Sequence, residues 1–380
     1  MVRTILSALA LAFIPFASAA AQTCPPGTDL EGPCAVARED LRLNDLQAVG
    51  SHNSYKRFIP APELAIIKST SPDAAIALDY GHRPLTEQLD LGMRQIELDL
   101  FHDPEGGRYA DPALPKATKG MPGAGTFDPA PMAAPGFKVL HAQDVDVYSS
   151  CATFVICLQE IKAWSDAHPR HVPILIMMNA KDAPIDNPEA VVPLPFDAAA
   201  YDALDAEVLS VFPRDRIVMP DDVRGDSATL REGVLAGGWP TLEAARGKVL
   251  FALDEGPAKT AVYRRGNASL EGLPLFVNAH DETAPHAAYF TLNNPLTQGE
   301  RIRAAVTAGF LVRTRADANT LEARAGDTGR RDAAFASGAH YVSTDYYLPR
   351  EDFGPYRVRL PGGAPARCNP VRRDDQCAAR

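Results

Sequence analysis

Residues 50–55 read Gly-Ser-His-Asn-Ser-Tyr and directly follow the apolar run Leu46–Val49. An apolar run that ends in polar side chains is typical of a buried strand that leads into a functional loop. His52 offers an acid/base group, and Asn53 offers an amide oxygen that can bind a metal. Taken alone, the hexapeptide also fits a plain polar surface turn. The rest of the chain has to decide between these two interpretations.

Eight further short runs have the length and composition of buried parallel strands. They are Gln95–Phe101, Phe137–Leu140, Val172–Met178, Arg216–Met219, Lys248–Leu253, Leu275–Val277, Phe310–Arg315 and His340–Thr344. Helix-like stretches separate them, at Leu85–Leu91, Cys157–Asp166, Ala199–Val211, Thr241–Ala245, Glu300–Ala308 and Thr328–Ser337. This alternation predicts an α/β fold with a parallel sheet. We expect a (β/α)8 TIM barrel with one extra strand or one false strand, and with long insertions at Arg57–Tyr80 and Pro104–Gly136.

The composition is that of a globular protein, with 380 residues, 46% hydrophobic and 23% charged. A net charge of −10 argues against a nucleic-acid partner, which favours a basic surface. It also gives no general attraction to anionic membranes, although a local basic patch stays open. We expect a monomer.

The N-terminus predicts secretion. Arg3 precedes the apolar segment Ile5–Phe16, and small residues follow at 17–21. This pattern is typical of a signal peptide over residues 1–21 that directs the chain to a secreted or periplasmic location. Residues 22–380 are then expected to form a single domain with a barrel core at about 44–350.

The cysteines agree with an oxidising compartment, because all six fall in local pairs after the signal peptide. Nearest-neighbour pairing joins Cys24 to Cys34, Cys151 to Cys157 and Cys368 to Cys377, and two of these bridges pin the termini. A zinc site is the alternative, but the spacing differs from the usual paired CxxC pattern.

Polar residues at the carboxyl ends of the strands are the candidates for a site, because barrel enzymes place their active sites there. Glu97 and Asp99 are two apart on one strand, so they face the same side. Two facing carboxylates are tolerated when a cation lies between them, and oxygen ligands suit Ca²⁺ or Mg²⁺. A solvated strand end is the alternative. His52 and His141 end two other strands, and either can act as a base or an acid.

Together these stretches resemble the calcium-dependent, phosphatidylinositol-specific phospholipase C-like family of secreted proteins, within the phosphodiesterase barrel superfamily. Five motifs carry the resemblance in order along the chain: residues 50–55, 88–99, 138–141, 312–317 and 338–346. Each motif falls on a predicted strand end, so the resemblance implies the barrel fold and cleavage of a phospholipid phosphodiester.

The resemblance also implies residue roles. His52 is expected to act as the general base. His141 is expected to protonate the leaving alkoxide as the general acid or to stabilise the phosphoryl oxygens. Asn53, Glu97, Asp99 and Asn179 are expected to bind Ca²⁺, with Mg²⁺ possible. Asn179 departs from the Glu that animal phospholipases C carry at the end of the fourth strand. Candidate contacts to the phosphate or head group are Lys181, Arg313, Arg315 and Asp345.

Two alternative functions remain open on the sequence. A glycerophosphodiester phosphodiesterase uses the same two histidines and an acidic pair on soluble diesters. A non-catalytic barrel keeps the metal site for structure alone. The expected partner is a phospholipid or another phosphodiester, with transient contact to a membrane surface.

Overall fold

The structure is a computed structural model that describes residues 30–32 and 36–373. The predicted signal peptide, the predicted pair of Cys24 and Cys34, and Cys377 lie outside the described residues. No helix in the described ranges is long and apolar enough to cross a membrane.

Eight parallel strands form a nearly closed barrel within the described part of the chain, and two short strands are added to it. The strands are β1 (Leu46–Ser51), β2 (Gln95–Phe101), β3 (Lys138–Val139), β4 (Ile174–Ala180), β5 (Val249–Leu253), β6 (Leu275–Val277), β7 (Tyr289–Thr291), β8 (Leu311–Arg315), β9 (Tyr341–Thr344) and β10 (Ala366–Cys368). The order around the barrel is β6-β5-β4-β2-β1-β9-β8-β7. A single parallel bridge from Asn278 to Tyr289 brings the β6 and β7 edges together. The predicted (β/α)8 fold is confirmed.

Helices cover the outside of the barrel. They are α1 (Ala61–Thr70), α2 (Pro72–Leu78), α3 (Leu85–Asp90), α4 (Ala113–Thr118), α5 (Ala130–Ala133), α6 (Phe154–Ala167), α7 (Ala198–Val211), α8 (Pro220–Arg224), α9 (Leu230–Leu235), α10 (Leu242–Ala245), α11 (Pro257–Arg264), α12 (Pro295–Ala308), α13 (Leu321–Ala325) and α14 (Gly329–Ala336). Every residue of β1, β2, β5 and β9 is buried. Strands covered on both faces read as near-continuous apolar runs, which is why the sequence revealed them.

Two predicted barrel strands were wrong. Phe137–Leu140 contributes only β3, which pairs antiparallel with β2 and lies outside the ring. Arg216–Met219 begins in a 3-10 turn and makes one parallel bridge, from Ile217 to Val249. Both runs are apolar because they are buried, and an apolar run does not by itself show that a segment pairs as a parallel strand of the barrel. The sequence did not reveal β7 and β10, which are three residues long. The equally short β6 was predicted because its residues are all apolar, whereas β7 contains Thr291 and β10 contains Arg367.

The end of the barrel opposite the carboxyl ends of the strands is closed by the terminal segments. β10 pairs antiparallel with the start of β1, where Leu46 faces Cys368. Glu31 forms an ion pair with buried Arg94 and accepts a 2.8 Å hydrogen bond from the Val172 amide. The Cys151–Cys157 disulfide is present, and Cys368 is also in a disulfide.

Gly50 opens the hexapeptide where β1 meets β2. A Cβ there would lie 2.3 Å from the side chain and 2.6 Å from the carbonyl oxygen of Gln95. We expect Gly50→Ala to lower the free energy of unfolding by about 1–3 kcal/mol, because the two strands must move apart. Gly299→Ala is the control, because a Cβ at this position inside α12 meets nothing within 4 Å. Alanine is the better helix former, so this variant should raise the free energy of unfolding by about 0.5–1 kcal/mol. Urea unfolding measures both, and a Gly50 variant as stable as the parent would contradict this packing.

Candidate active site

The carboxyl ends of the strands open into one cleft of about 490 Å³, here called the mouth cleft. Nine predicted site residues line it: His52, Asn53, Glu97, Asp99, His141, Asn179, Lys181, Arg313 and Arg315. The tenth, Asp345, lies buried behind His52. The structure therefore brings together residues that are more than 290 positions apart in the chain.

His52 is held from behind by a carboxylate. Its Nδ1 lies 2.8 Å from Oδ1 of Asp345, and its backbone N–H donates to the carbonyl of Thr344. A carboxylate only accepts, so Nδ1 carries the proton and Nε2 faces the cleft with its lone pair. Arg315 NH1 lies 3.2 Å from that Nε2. This is the orientation that a general base needs.

Asp345 stays ionised despite its burial. Burial alone would raise its pKa, but the charge and hydrogen bond of His52 and the guanidinium of Arg315 lower the pKa to about 2. Arg315 NH2 donates to its Oδ2 at 3.2 Å. Asp317 accepts from the Asp345 amide at 2.8 Å, and burial together with the Asp345 charge raises the pKa of Asp317. A negative charge is thereby concentrated on the carboxylate that contacts His52.

His141 has the same arrangement on the other side of the cleft. Its Nδ1 lies 2.9 Å from Oδ2 of Asp146, and Lys56 Nζ lies 3.3 Å from the same oxygen. The side chains of Lys56 and Asp146 are completely buried. Burial alone would raise the pKa of Asp146, but Lys56 and His141 lower it below its usual value. His141 therefore also presents Nε2 to the cleft.

Asn53 adopts a left-handed backbone conformation, with φ of 48°. Asn tolerates this region better than most residues, so the turn after β1 favours it. Its Nδ2 donates to the Tyr80 hydroxyl at 2.8 Å. The amide nitrogen is occupied in this way, and Oδ1 is the atom that remains to accept or to bind a cation.

Positive groups surround the two carboxylates of β2. Arg313 NH2 lies 2.5 Å from Oε2 of Glu97 and 3.0 Å from the Ser343 hydroxyl. Lys181 Nζ lies 3.3 Å from Oδ2 of Asp99. Asn179 Nδ2 donates to both carboxylates, at 3.2 and 3.0 Å. Glu97 and Asp99 are only 4% and 2% exposed, and like charges in such a site require this compensation.

The donor types fit a hard divalent cation. Two carboxylates and the free oxygen of Asn53 converge on one cleft, and oxygen ligands of this kind suit Ca²⁺. In the described ranges no group of three or more His, Cys, Asp and Glu side chains could hold a metal. A cation held here would therefore need amide oxygens as well, and Asn179, whose nitrogen donates to both carboxylates, would have to turn its oxygen inward to contribute.

The cleft also contains residues that the prediction did not include as site residues. Asp254 follows β5, Asn278 follows β6 and Asn293 follows β7, and all three line the mouth. Asn278 donates to Asp254 at 2.9 Å, and burial raises the pKa of Asp254. The strand-end rule could have found Asp254 and Asn278. Asn293 follows a strand that the sequence did not reveal.

Comparisons with known proteins identify the family and the fold that this chain is similar to. The family model described as "Phosphoinositide phospholipase C, Ca2+-dependent" matches residues 41–370. A calcium-dependent phosphoinositol-specific phospholipase C from a Pseudomonas species, solved as a myoinositol complex, is 15% identical with a TM-score of 0.53, over 90% of this chain and 99% of that one. A Ca²⁺-dependent phosphatidylinositol-specific phospholipase C from Streptomyces antibioticus is 20% identical with a TM-score of 0.51, over 81% and 95%. No curated protein matches the sequence.

The buried pair behind His141 generates a stability prediction. Asp146→Asn leaves the Lys56 ammonium buried without a carboxylate, so the free energy of unfolding is expected to fall by about 3–5 kcal/mol. Asp111→Asn is the matched control: it breaks the exposed pair with Lys116, whose members are 78% and 58% exposed, and costs less than about 1 kcal/mol.

The loss should also depend on pH. The pKa of Asp146 lies below its ordinary value of 3.8 in the folded state. Its stabilisation is therefore complete above that ordinary value and disappears as the pH falls through the lowered pKa. Urea unfolding should therefore give a large difference in unfolding free energy between parent and Asp146→Asn at about pH 7, and a small difference at about pH 3. An equal difference at both pH values would contradict the ion pair.

Proposed function

We propose, from the premise that the chain belongs to the Ca²⁺-dependent phosphoinositide phospholipase C family, that it cleaves the phosphodiester of a phosphoinositide or a related phospholipid. The family consists of phosphodiester-cleaving enzymes that depend on Ca²⁺. One observation carries the proposal for this chain: two histidines at one mouth each receive a carboxylate on Nδ1, at 2.8 and 2.9 Å. Both rings therefore offer Nε2 to a substrate, as proton transfer on two sides of one phosphate requires.

The histidines have complementary roles in this mechanism. His52 Nε2 accepts the proton of the attacking hydroxyl, and that oxygen forms a bond to phosphorus. The bond from phosphorus to the lipid oxygen breaks, and His141 gives its Nε2 proton to that oxygen. With the inositol 2-hydroxyl as the attacking group, as the family resemblance implies, the products are a cyclic inositol phosphate and diacylglycerol. Asp345 and Asp146 stabilise the imidazolium form of each partner ring.

The cations of the mouth act on the phosphate. Arg315 borders Nε2 of His52 at 3.2 Å, where the attacked phosphate must lie, and its spare N–H groups can donate to the phosphoryl oxygens. Lys181 is 36% exposed and can reach a ligand from the opposite wall. Arg313 is 1% exposed and contacts Glu97, so its contribution to binding acts through that carboxylate.

Asn53, Glu97 and Asp99, with Asn179, would hold the calcium ion. When bound, the ion supplies charge that neutralises the phosphoryl oxygens and lowers the pKa of a bound hydroxyl. The chain itself supplies two carboxylates, and Asn179 stands where animal members of the family carry a third. We therefore propose a calcium site of reduced charge.

Action on a lipid implies contact between the mouth and a bilayer. Exposed apolar side chains lie on segments that follow the strand ends: Phe58, Met121, Val192, Leu296 and Leu321, between 48% and 64% exposed. This rim supports transient membrane contact, and the N-terminal pattern supports a secreted or periplasmic location. Phe58→Ser with Val192→Ser is expected to weaken binding to phosphatidylinositol vesicles in a sedimentation assay, since apolar burial contributes to docking. Leu209→Ser, on α7 and 46% exposed, is the control, and an equal effect would contradict the rim.

The histidine assignment predicts a large loss of turnover. His52→Ala and His141→Ala are each expected to lower the rate of phosphatidylinositol cleavage by about 10²–10⁴-fold, the usual contribution of a general acid or base. The assay follows release of cyclic inositol phosphate. His168→Ala is the control, because His168 stacks on Trp164, away from the cleft, and is exposed.

Two outcomes of that assay would overturn the proposal. Turnover of glycerophosphocholine with no cyclic inositol phosphate would identify a glycerophosphodiester phosphodiesterase. Activity unchanged in both histidine variants would leave a barrel whose metal site is structural.

The residue at position 179 is expected to influence the affinity for Ca²⁺. Asn179→Asp adds a third carboxylate and removes an amide that donates to Glu97 and Asp99, so the Kd for Ca²⁺ should fall by about tenfold, since calcium affinity follows ligand charge. Asn187→Asp places the same charge on the exposed β4–α7 loop and should leave the Kd unchanged. Calorimetric titration with CaCl₂ measures both, without substrate. A weaker or equal Kd in Asn179→Asp would exclude Asn179 from the site.

A further inference from the structure

A second polar groove, of about 560 Å³, lies on the flank of the barrel, between α14 and the segment that descends to β10. It is lined by Arg331, Arg357, Arg359 and Arg367, and we call it the arginine groove. None of its lining residues also lines the mouth cleft. Among the described residues that line it, Asp332 is the one acid, and Arg331 already pairs with it at 2.9 Å. The described lining of this groove is therefore net positive, in a protein whose net charge is −10.

The backbone places these arginines side by side. Arg357 and Arg359 alternate with Val358 and Leu360, which are 0% and 3% exposed in a core cluster. An extended segment sends alternate side chains to opposite faces, so the apolar pair anchors it and both arginines point outward. Arg331 and Arg367 reach the same groove from α14 and β10. Three separate elements thus contribute arginines to one groove. A row of solvated arginines on a single strand would not produce this convergence.

Most of the guanidinium donors in the groove are not used by the described protein. Arg359 gives one N–H to the Leu91 carbonyl, and Arg367 gives two to the side-chain oxygen of Gln47. No described group accepts from the Arg357 guanidinium. Arg367 also lies over the Phe335 ring at 5.3 Å, which fixes its plane. Each guanidinium carries five donors in a rigid fork, so the groove presents many unused donors with little competing acid.

We propose that the arginine groove binds a soluble anion carrying more than one phosphoryl or sulfate group. Arginine forks match the tetrahedral oxygens of such groups bidentately. Four guanidinium groups and one paired carboxylate leave enough positive charge in the groove to neutralise more than one phosphate group. A bilayer that faces the mouth does not face this flank, so a free anion is the occupant that the geometry favours.

The test is calorimetric titration of the full chain with sodium pyrophosphate in metal-free buffer. Arg357→Gln with Arg359→Gln should weaken the Kd by at least about tenfold, because two charge-assisted contacts are lost. Arg357→Gln alone should weaken it in part, and it removes no protein hydrogen bond, so misfolding does not explain a loss. The control is Arg170→Gln with Arg214→Gln, whose side chains pair with Glu243 and Asp222 elsewhere, and it should bind as the parent does.

Three results would overturn the proposal. One is no measurable pyrophosphate binding. Another is pyrophosphate binding that is lost in the mouth variant Lys181→Gln with Arg315→Gln but kept in the groove variants. The third is groove-dependent binding to phosphatidylglycerol vesicles without binding to pyrophosphate, which would assign the groove to a lipid surface. The groove variants should keep the parent rate of phosphatidylinositol cleavage, so this test is independent of the proposed catalytic function.

Discussion

The mouth of this barrel is organised around two like charges. Glu97 and Asp99 point to the same side of β2 and are almost fully buried, where two ionised carboxylates are unfavourable without positive partners. Arg313 contacts them from β8, and Lys181 and the Asn179 amide contact them from the end of β4. The same pair supplies the two charged ligands of the proposed calcium site. The positions of the surrounding cations follow from the need to neutralise this pair.

The two histidines are supported by buried charge in a parallel way. Behind His52, Asp345 is held by Arg315 and by the Asp317 network, and behind His141, Asp146 is held by Lys56. These supports come from distant parts of the chain. Each ring is therefore oriented by packed, low-dielectric surroundings before any substrate arrives, which reduces the reorganisation that proton transfer requires. Rigid supports behind a solvent-facing edge are the physical basis of the proposed acid/base pair.

Much of this could be predicted from the sequence, because parallel strands place their carboxyl ends at one edge. His52 follows β1, Glu97 and Asp99 lie within β2, Asn179 lies near the end of β4, and the structure brings them into one cleft. Of the residues that support the histidines, Asp345 and Arg315 were also predicted as site residues, but Asp146, Lys56 and Tyr80 could not be predicted in the same way. Tyr80 contacts Asn53 from 27 residues further along the chain, Lys56 pairs with Asp146 on another segment, and no local pattern encodes these contacts. The antiparallel pairing of β3 was missed because a pairing partner leaves no periodic signal. β7 was missed because its three residues are not all apolar, unlike those of the equally short β6.

We propose above that the oxygens of Asn53, Glu97 and Asp99 form a calcium site between His52 and His141. A crystal structure of the protein grown with CaCl₂ tests this directly. We expect a cation bonded to all three side chains at about 2.3–2.6 Å, with the Lys181 ammonium displaced from Asp99. Crystals in which saturating calcium leaves Lys181 and Arg313 on the two carboxylates, with no cation between them, would contradict it.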